Sequence, residues 1–254
     1  MTRGAVVVFH AHPDDEAIFT GGSITLLAQQ GWRVVVVLAT SGELGLAGPG
    51  GVELGAHRRQ EAERSAALLG AHRVEFLGYS DSGLAGSPGD DTSFVRADVD
   101  EAADRLADVL DREAAVALVT YDGDGIYGHP DHVQAHRVAV AAADRRPVAH
   151  LYEATVDREY LHFVETHLVV EAGLPERTPG LGLAATHIGR PTVLIDTVCD
   201  VRPVLHVKRQ AMASHASQIP ETSSAMRLDH ADFSAVYGFE WYLRHGPPGP
   251  LEGL

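Results

Sequence analysis

Hydrophobic residues fall in short continuous runs separated by stretches of helical spacing. Residues 5–9 (AVVVF) and 33–39 (RVVVVLA) are near-continuous apolar, β-rich runs, the pattern of strands covered on both faces. Residues 73–77, 115–120 and 148–152 read as three further strands. Between them, residues 16–30 carry Ile18, Ile24, Leu27 and Ala28 at helical spacing and stop at Gly31. Residues 56–69, rich in Ala, Arg and Glu, predict a second helix that stops at Gly70. Residues 94–112, with Val95, Val99, Leu106 and Leu110 on one face, predict a third, and residues 131–144 a fourth. Residues 42–55, 79–92 and 122–130 read as loops. Strands alternating with helices predict an α/β fold, a mostly parallel sheet with helices on both faces. Right-handed crossovers make that sheet doubly wound, with its ligand site beyond the carboxyl ends of the strands.

Beyond residue 155 the pattern weakens. Residues 158–172, 204–217 and 232–244 read as helices, 192–196 (TVLID) as a short strand, 176–182 as a Pro/Gly loop, and 246–254 as a frayed tail. The expected organisation is a catalytic core over residues 1–155, with 156–254 a smaller C-terminal extension completing the same domain and its pocket.

A chain of 254 residues suits one large α/β domain. Its net charge of -15 argues against nucleic-acid binding, which needs a basic face. No apolar run is long enough to span a bilayer, and the N-terminus lacks the pattern of a secretory signal. Cys199 is the single cysteine, so an internal disulfide and a thiolate zinc finger are excluded, and a reducing, cytoplasmic location is expected. The expected partners are a small-molecule substrate and at most further copies of the chain in a homo-oligomer.

His12-Pro13-Asp14-Asp15-Glu16 follows the first strand, where an open sheet places ligands. Imidazole nitrogen and carboxylate oxygen both suit zinc, and His12 and Asp15 share one turn entering a helix. Asp14 or Asp15 could instead simply cap that helix, with Glu16 favourable in its first turn. Capping accounts for one Asp and leaves the second, and His12, unexplained. A bound cation would relieve the repulsion of the crowded carboxylates.

Tyr127-Gly128-His129-Pro130-Asp131-His132 follows the fourth strand and repeats the His-Pro-Asp theme. The two loops would face each other across the crevice, and His12, Asp15 and His132 would leave an open position for water. His129 rivals His132 as the third ligand. His132 lies in the first helical turn, whereas His129 could reach a substrate. His136 reads as a supporting or solvent-facing histidine, and Asp131 could cap the helix or orient a ligand histidine. Residues 123–128 match G-x-G-x-x-G but follow the wrong strand for a dinucleotide site, so these glycines read as loop flexibility around Tyr127. No G-x-S-x-G appears. His10 reads as a buried, hydrogen-bonded core residue and Cys199 as packing.

Together these stretches resemble the LmbE/PIG-L family of zinc-dependent N-deacetylases. Thr40-Ser41-Gly42-Glu43, Arg58-Arg59-Gln60-Glu61, Asp81-Ser82-Gly83 and the segment from Lys208 to His215-Ala216-Ser217-Gln218 look similar too. The resemblance leans towards actinobacterial members that act on mycothiol-pathway sugars, a deacetylase and a conjugate amidase. It implies a Rossmann-like fold and Zn2+ at His12, Asp15 and His132, a set that would also suit Fe2+. It further implies Asp14 as general base, roles for His129 and Tyr127 around the transition state, and Arg58 and Asp81 against the sugar. As a donor to the carbonyl oxygen where negative charge develops, His129 is expected to be protonated. Without the resemblance, Arg58 reads as an exposed helix residue paired to an acidic neighbour, and Lys208 and His215 likewise.

The expected reaction is removal of an N-acetyl group from an N-acetylglucosamine-containing or related amino sugar. The rival closest to it is an amidase cleaving a larger thiol-sugar conjugate by the same chemistry. A nucleotide-sugar transferase would need a diphosphate site, and neither loop motif holds Lys or Arg. A non-catalytic sugar- or metal-binding module would not need the additional Asp14.

Overall fold

The computed structural model describes residues 3–45, 52–83, 92–171 and 188–254. The predicted loop at 176–182 lies outside them. The described residues form one seven-stranded sheet: β1 (Ala5–His10), β2 (Arg33–Thr40), β3 (Arg73–Tyr79), β4 (Ala115–Tyr121), β5 (His150–Thr155), β6 (Thr197–Asp200) and β7 (Phe239–His245). Its order is β3-β2-β1-β4-β5-β7-β6. The first five strands are parallel, and β7 runs antiparallel to both β5 and β6. The chain winds outward from β1 to β3, then returns to place β4 on the other side of β1, so strand order reverses between β1 and β4. A doubly wound sheet opens its ligand crevice at such a reversal.

Helices fill the connections: α1 (Asp15–Phe19), α2 (Gly21–Gln29), α3 (Val52–Leu69), α4 (Val99–Glu113), α5 (Gly125–Gly128), α6 (Pro130–Arg145), α7 (Arg158–Glu171), α8 (Leu205–Ser214), α9 (Ser224–Arg227) and α10 (His230–Tyr237). Two cores explain the valine runs. Val6, Val8, Val34 and Val36 pack on one face with Leu27 of α2, Ala62 of α3 and Met212 of α8. Val7, Phe9, Val35 and Val37 pack on the other with Leu106 of α4 and Val138 of α6. Successive strand residues point to opposite faces, so a strand covered twice must be apolar at every position.

Several elements differ from expectation. Residues 16–30 form two helices, broken at Thr20 (φ -136°). A Cβ on Gly22 would lie 2.3 Å from Val201 Cβ, so only glycine allows that approach. The new helix N-terminus faces Glu240 of β7, whose carboxylate accepts from Gly22 N and Ser23 N, both at 2.8 Å. Lys208 Nζ donates to the same carboxylate at 2.6 Å and Tyr242 Oη at 3.1 Å, with the Lys208 and Glu240 side chains buried, so the charge drawn from water is compensated by four donors. Residues 94–112 open as a 3₁₀ turn at Phe94–Arg96, and α4 begins only after Asp98, whose side chain caps Asp100 N and Glu101 N. The expected helix over 232–244 ends at Tyr237, and the aromatic-rich FEWYLRH becomes strand β7. Thr192–Leu194 is a 3₁₀ turn, with the strand beginning at Thr197. The tail is packed: Leu251 is buried, and Glu252 accepts from Tyr152 Oη at 2.6 Å and Thr197 Oγ1 at 2.9 Å.

Candidate active site

The loop after β1 is pinned on two sides. Ala11 N donates to Tyr121 Oη at 2.7 Å, and Ala11 O accepts from Thr40 N at 3.0 Å. Pro13 then turns the chain, and Asp15 opens α1 with its side chain pointing inward. From the other loop, Pro130 occupies the first helical position of α6, where its fixed φ suits the helix, and His132 follows in the first turn. Gly125 lies against His132 so tightly that a Cβ there would sit 2.7 Å from His132 Cβ.

Hydrogen bonds set the direction of each ring. His132 Nδ1 lies 3.3 Å from the Gly125 carbonyl, an acceptor only, so it carries the proton and Nε2 keeps a lone pair. That Nε2 is buried without a hydrogen-bond partner among the described residues and lies 3.3 Å from Asp15 Oδ2. His12 Nε2 faces Asp131 Oδ2 at 3.1 Å and Asp81 Oδ1 at 3.5 Å, so it donates outward. His12 Nδ1 is thereby left to face Asp15 Oδ2 at 3.3 Å. Donor atoms on a tetrahedral ion with bonds of about 2.0–2.1 Å stand about 3.3 Å apart. The spacing, the orphaned His132 nitrogen and the mixed nitrogen and oxygen set therefore fit a divalent metal. His129 brings a ring nitrogen within 4.8 Å of those of His12 and His132, and His12, Asp81 and Asp131 form a second group at the same spacing, so His129, Asp81 and Asp131 are further candidate ligands among the described residues.

Burial opposes the Asp15 charge, but His132 and His12 outweigh it and hold the carboxyl well below its usual range. In the metal-free protein burial likewise opposes a charged His12, whereas hydrogen bonds to Asp131, Asp15 and Asp81 pull its pKa up, so a cation bound between His12 and Asp15 would displace the proton from Nδ1. Asp81 is anchored by accepting from Leu44 N at 3.1 Å and Gly83 N at 2.8 Å. Despite its burial, the His12 hydrogen bond holds its carboxyl below the usual range.

Asp14 stands at the N-cap of α1, yet its side chain makes no capping bond, so helix capping does not account for its carboxylate. Its φ of 112° lies where non-glycine residues are strained by about 1–3 kcal/mol. Burial, and then the neighbouring Asp15 charge, raise its carboxyl to about 7, although Arg58 pulls the other way. Arg58 is buried, not exposed as the sequence alone suggested. It donates from Nη1 to Gly42 O at 2.6 Å and from Nη2 to Pro13 O at 2.5 Å, with Asp14 Oδ2 3.4 Å from Nη2. Lys208 and His215 are likewise buried, against Glu240 and Glu16.

His129 caps α6, its Nδ1 accepting from Asp131 N at 3.1 Å, so its single proton sits on Nε2. Burial and the neighbouring His12 and His132 push its pKa down to about 4. This corrects the expectation of a protonated ring: His129 is a neutral donor. Tyr127 is 44% exposed, and its ring packs edge-on to His132 at 5.0 Å and His129 at 6.2 Å. His136 turns away, towards Tyr121 O at 3.0 Å, and His10 is buried with Nε2 2.9 Å from Thr20 Oγ1.

Tyr121 and Glu16 gain importance that sequence reasoning missed. Tyr121 ends β4, donates to Asp15 Oδ2 at 2.7 Å and stacks on His132 with ring centroids 4.1 Å apart. Its place at the carboxyl end of a switch-point strand was the available signal. Glu16 read as an ordinary first-turn acid, but it is fully buried and bonded on both oxygens.

Residues 7–143 match the profile of PIG-L, GlcNAc-PI de-N-acetylase. The chain belongs to the PIG-L family. A 1D-myo-inositol 2-acetamido-2-deoxy-alpha-D-glucopyranoside deacetylase of Acidothermus cellulolyticus is 36% identical to this PIG-L chain over 263 residues, spanning 96% of the chain and 89% of the relative. Among solved structures, N,N'-diacetylchitobiose deacetylase from Pyrococcus horikoshii is similar at TM-score 0.62 and 21% identity, over 95% of this chain and 83% of that one. GalB, the 4-carboxy-2-hydroxymuconate hydratase of Pseudomonas putida, is similar at TM-score 0.60 and 20% identity, over 97% and 98%. One fold thus carries both a deacetylase and a hydratase, and the chemistry has to be argued from side chains. Among the described residues no helix is long and apolar enough to cross a membrane.

Proposed function

We propose that this chain is a zinc-dependent N-deacetylase that frees the amine of an N-acetylglucosamine-containing small molecule, an N-acetylglucosaminyl inositol being the first to test. The observation that carries this reading is that Asp15 Oδ2 stands 3.3 Å from both His12 Nδ1 and His132 Nε2, with the Asp14 carboxylate close enough to feel the Asp15 charge and tied up in no capping bond. Family membership and the 36% identical deacetylase support the substrate class.

His12, Asp15 and His132 would hold the ion. When bound, the ion supplies Lewis acidity, which lowers the pKa of a water and polarises the amide carbonyl. Asp14 takes a proton from the attacking water as its oxygen bonds to the carbonyl carbon. It returns that proton to nitrogen as the C–N bond breaks, releasing acetate and a free amine. His129 Nε2–H and the Tyr127 hydroxyl are the donors for the carbonyl oxygen as its negative charge builds. Arg58 and Asp81 are assigned to the sugar, supported by their position against Asp14 and His12. Residues 156–254 are read as completing the same domain and pocket, a reading supported by β6 and β7 extending the sheet. A cytoplasmic setting accords with a single, buried thiol at Cys199.

The test is metal analysis of the purified protein, paired with acetate release from N-acetylglucosaminyl inositol and N-acetylglucosamine. About one tightly held ion per chain and chelator-sensitive acetate release are expected. Turnover indifferent to chelation would overturn the metal assignment. Cleavage of a thiol-sugar conjugate in place of acetate release would move the chain to the amidase reading.

A further inference from the structure

We propose that His215 is a positioning residue for the base: together with Ser65 it clamps the Glu16 carboxylate that fixes the Pro13–Asp14 peptide. This inference rests on the reading of Asp14 as the base. The peptide between Pro13 and Asp14 is held at both ends. Its carbonyl accepts from Arg58 Nη2 at 2.5 Å, and its N–H donates to Glu16 Oε2 at 3.0 Å. The plane of that peptide sets φ of Asp14, which sits at 112°, where an unrestrained aspartate would not stay. Relaxing it would rotate the Asp14 carboxylate relative to His12 and Asp15.

Glu16 can hold the plane only if its own carboxylate is immobile. Its second oxygen, Oε1, accepts from Ser65 Oγ of α3 at 2.6 Å and from His215 Nε2 at 2.6 Å. Glu16, Ser65 and His215 are all fully buried, so these bonds do not compete with water. His215 lies 199 residues from Glu16 and closes the C-terminal end of α8. Its other ring nitrogen, Nδ1, has no hydrogen-bond partner among the described residues, so the contact with Glu16 is the ring's polar purpose. The chain's last third thus reaches the base through two hydrogen bonds in series.

The experiment compares His215→Leu, His215→Gln and Ser65→Ala with wild type for kcat, KM and bound metal, using acetate release from N-acetylglucosaminyl inositol. His215→Leu removes the donor, and kcat should fall about 10- to 100-fold, as misplacement of a reacting group does, with KM and metal content unchanged. His215→Gln keeps an N–H at the Nε2 position and should recover most of that loss. Ser65→Ala removes the other donor to the same oxygen and should lower kcat by about threefold with KM unchanged. A folded, metal-loaded His215→Leu with wild-type kcat overturns the proposal. If that variant does not fold, wild-type kcat in Ser65→Ala overturns it instead. Asp14→Asn separates the two readings: retained turnover there refutes the base assignment, whereas an inactive Asp14→Asn beside a normal His215→Leu refutes only the clamp.

Discussion

Asp131→Ala tests how the proposed metal ligands are held. Asp131 is fully buried, and its Oδ2 accepts from His12 Nε2 at 3.1 Å and from Ser82 N at 3.0 Å. The first bond keeps the proton of His12 on Nε2 and so aims the Nδ1 lone pair at Asp15. Removing such a supporting carboxylate weakens metal affinity about 10- to 100-fold, or ~1.4–2.7 kcal/mol. The metal-free fold loses something too, because Ser82 N is left unsatisfied at roughly 1–3 kcal/mol. Asp131 Oδ1 has no partner among the described residues, so its removal offsets part of that cost. Titration of the apo-protein with zinc against a chromophoric chelator reads the first effect, and thermal unfolding without metal reads the second. Asp131→Asn, which keeps an oxygen for both donors and loses the charge, should fall between wild type and Asp131→Ala. Zinc affinity within about threefold of wild type in Asp131→Ala would refute the reasoning, since His12 would then be oriented without this carboxylate.

Three further outcomes are expected. Asp14→Asn should lower kcat by about 10²- to 10⁴-fold while bound metal, read by elemental analysis, stays at the wild-type level. Tyr121→Phe deletes the donor to Asp15 and leaves Ala11 N without its acceptor, so unfolding free energy should drop by roughly 1–3 kcal/mol in denaturant titration. Glu240→Ala strands the buried Lys208 ammonium and uncaps α2, a loss of about 3–5 kcal/mol; a drop under about 1 kcal/mol would mean that Lys208 finds water or another partner.

The strands and the two loops that carry the chemistry were legible from the sequence because their signals are local. Val6–Val8 and Val34–Val37 are apolar at every position, which identifies a strand covered on both faces without reference to any partner. His12, Asp14 and Asp15 crowd one turn, and His129 to His132 another, so their residue types alone point to a metal and a base. What the tertiary structure decided depends on groups far away in the chain. The break between α1 and α2 exists because Val201 and Glu240 arrive against Gly22, and FEWYLRH becomes a strand because β5 offers it a free edge. The burial of Arg58, the neutral ring of His129 and the hydrogen-bond partners of Tyr121, Glu16 and His215 depend on which donor meets which acceptor. Side-chain periodicity reports which face is buried, whereas a hydrogen bond across as many as 199 residues leaves no trace in local pattern.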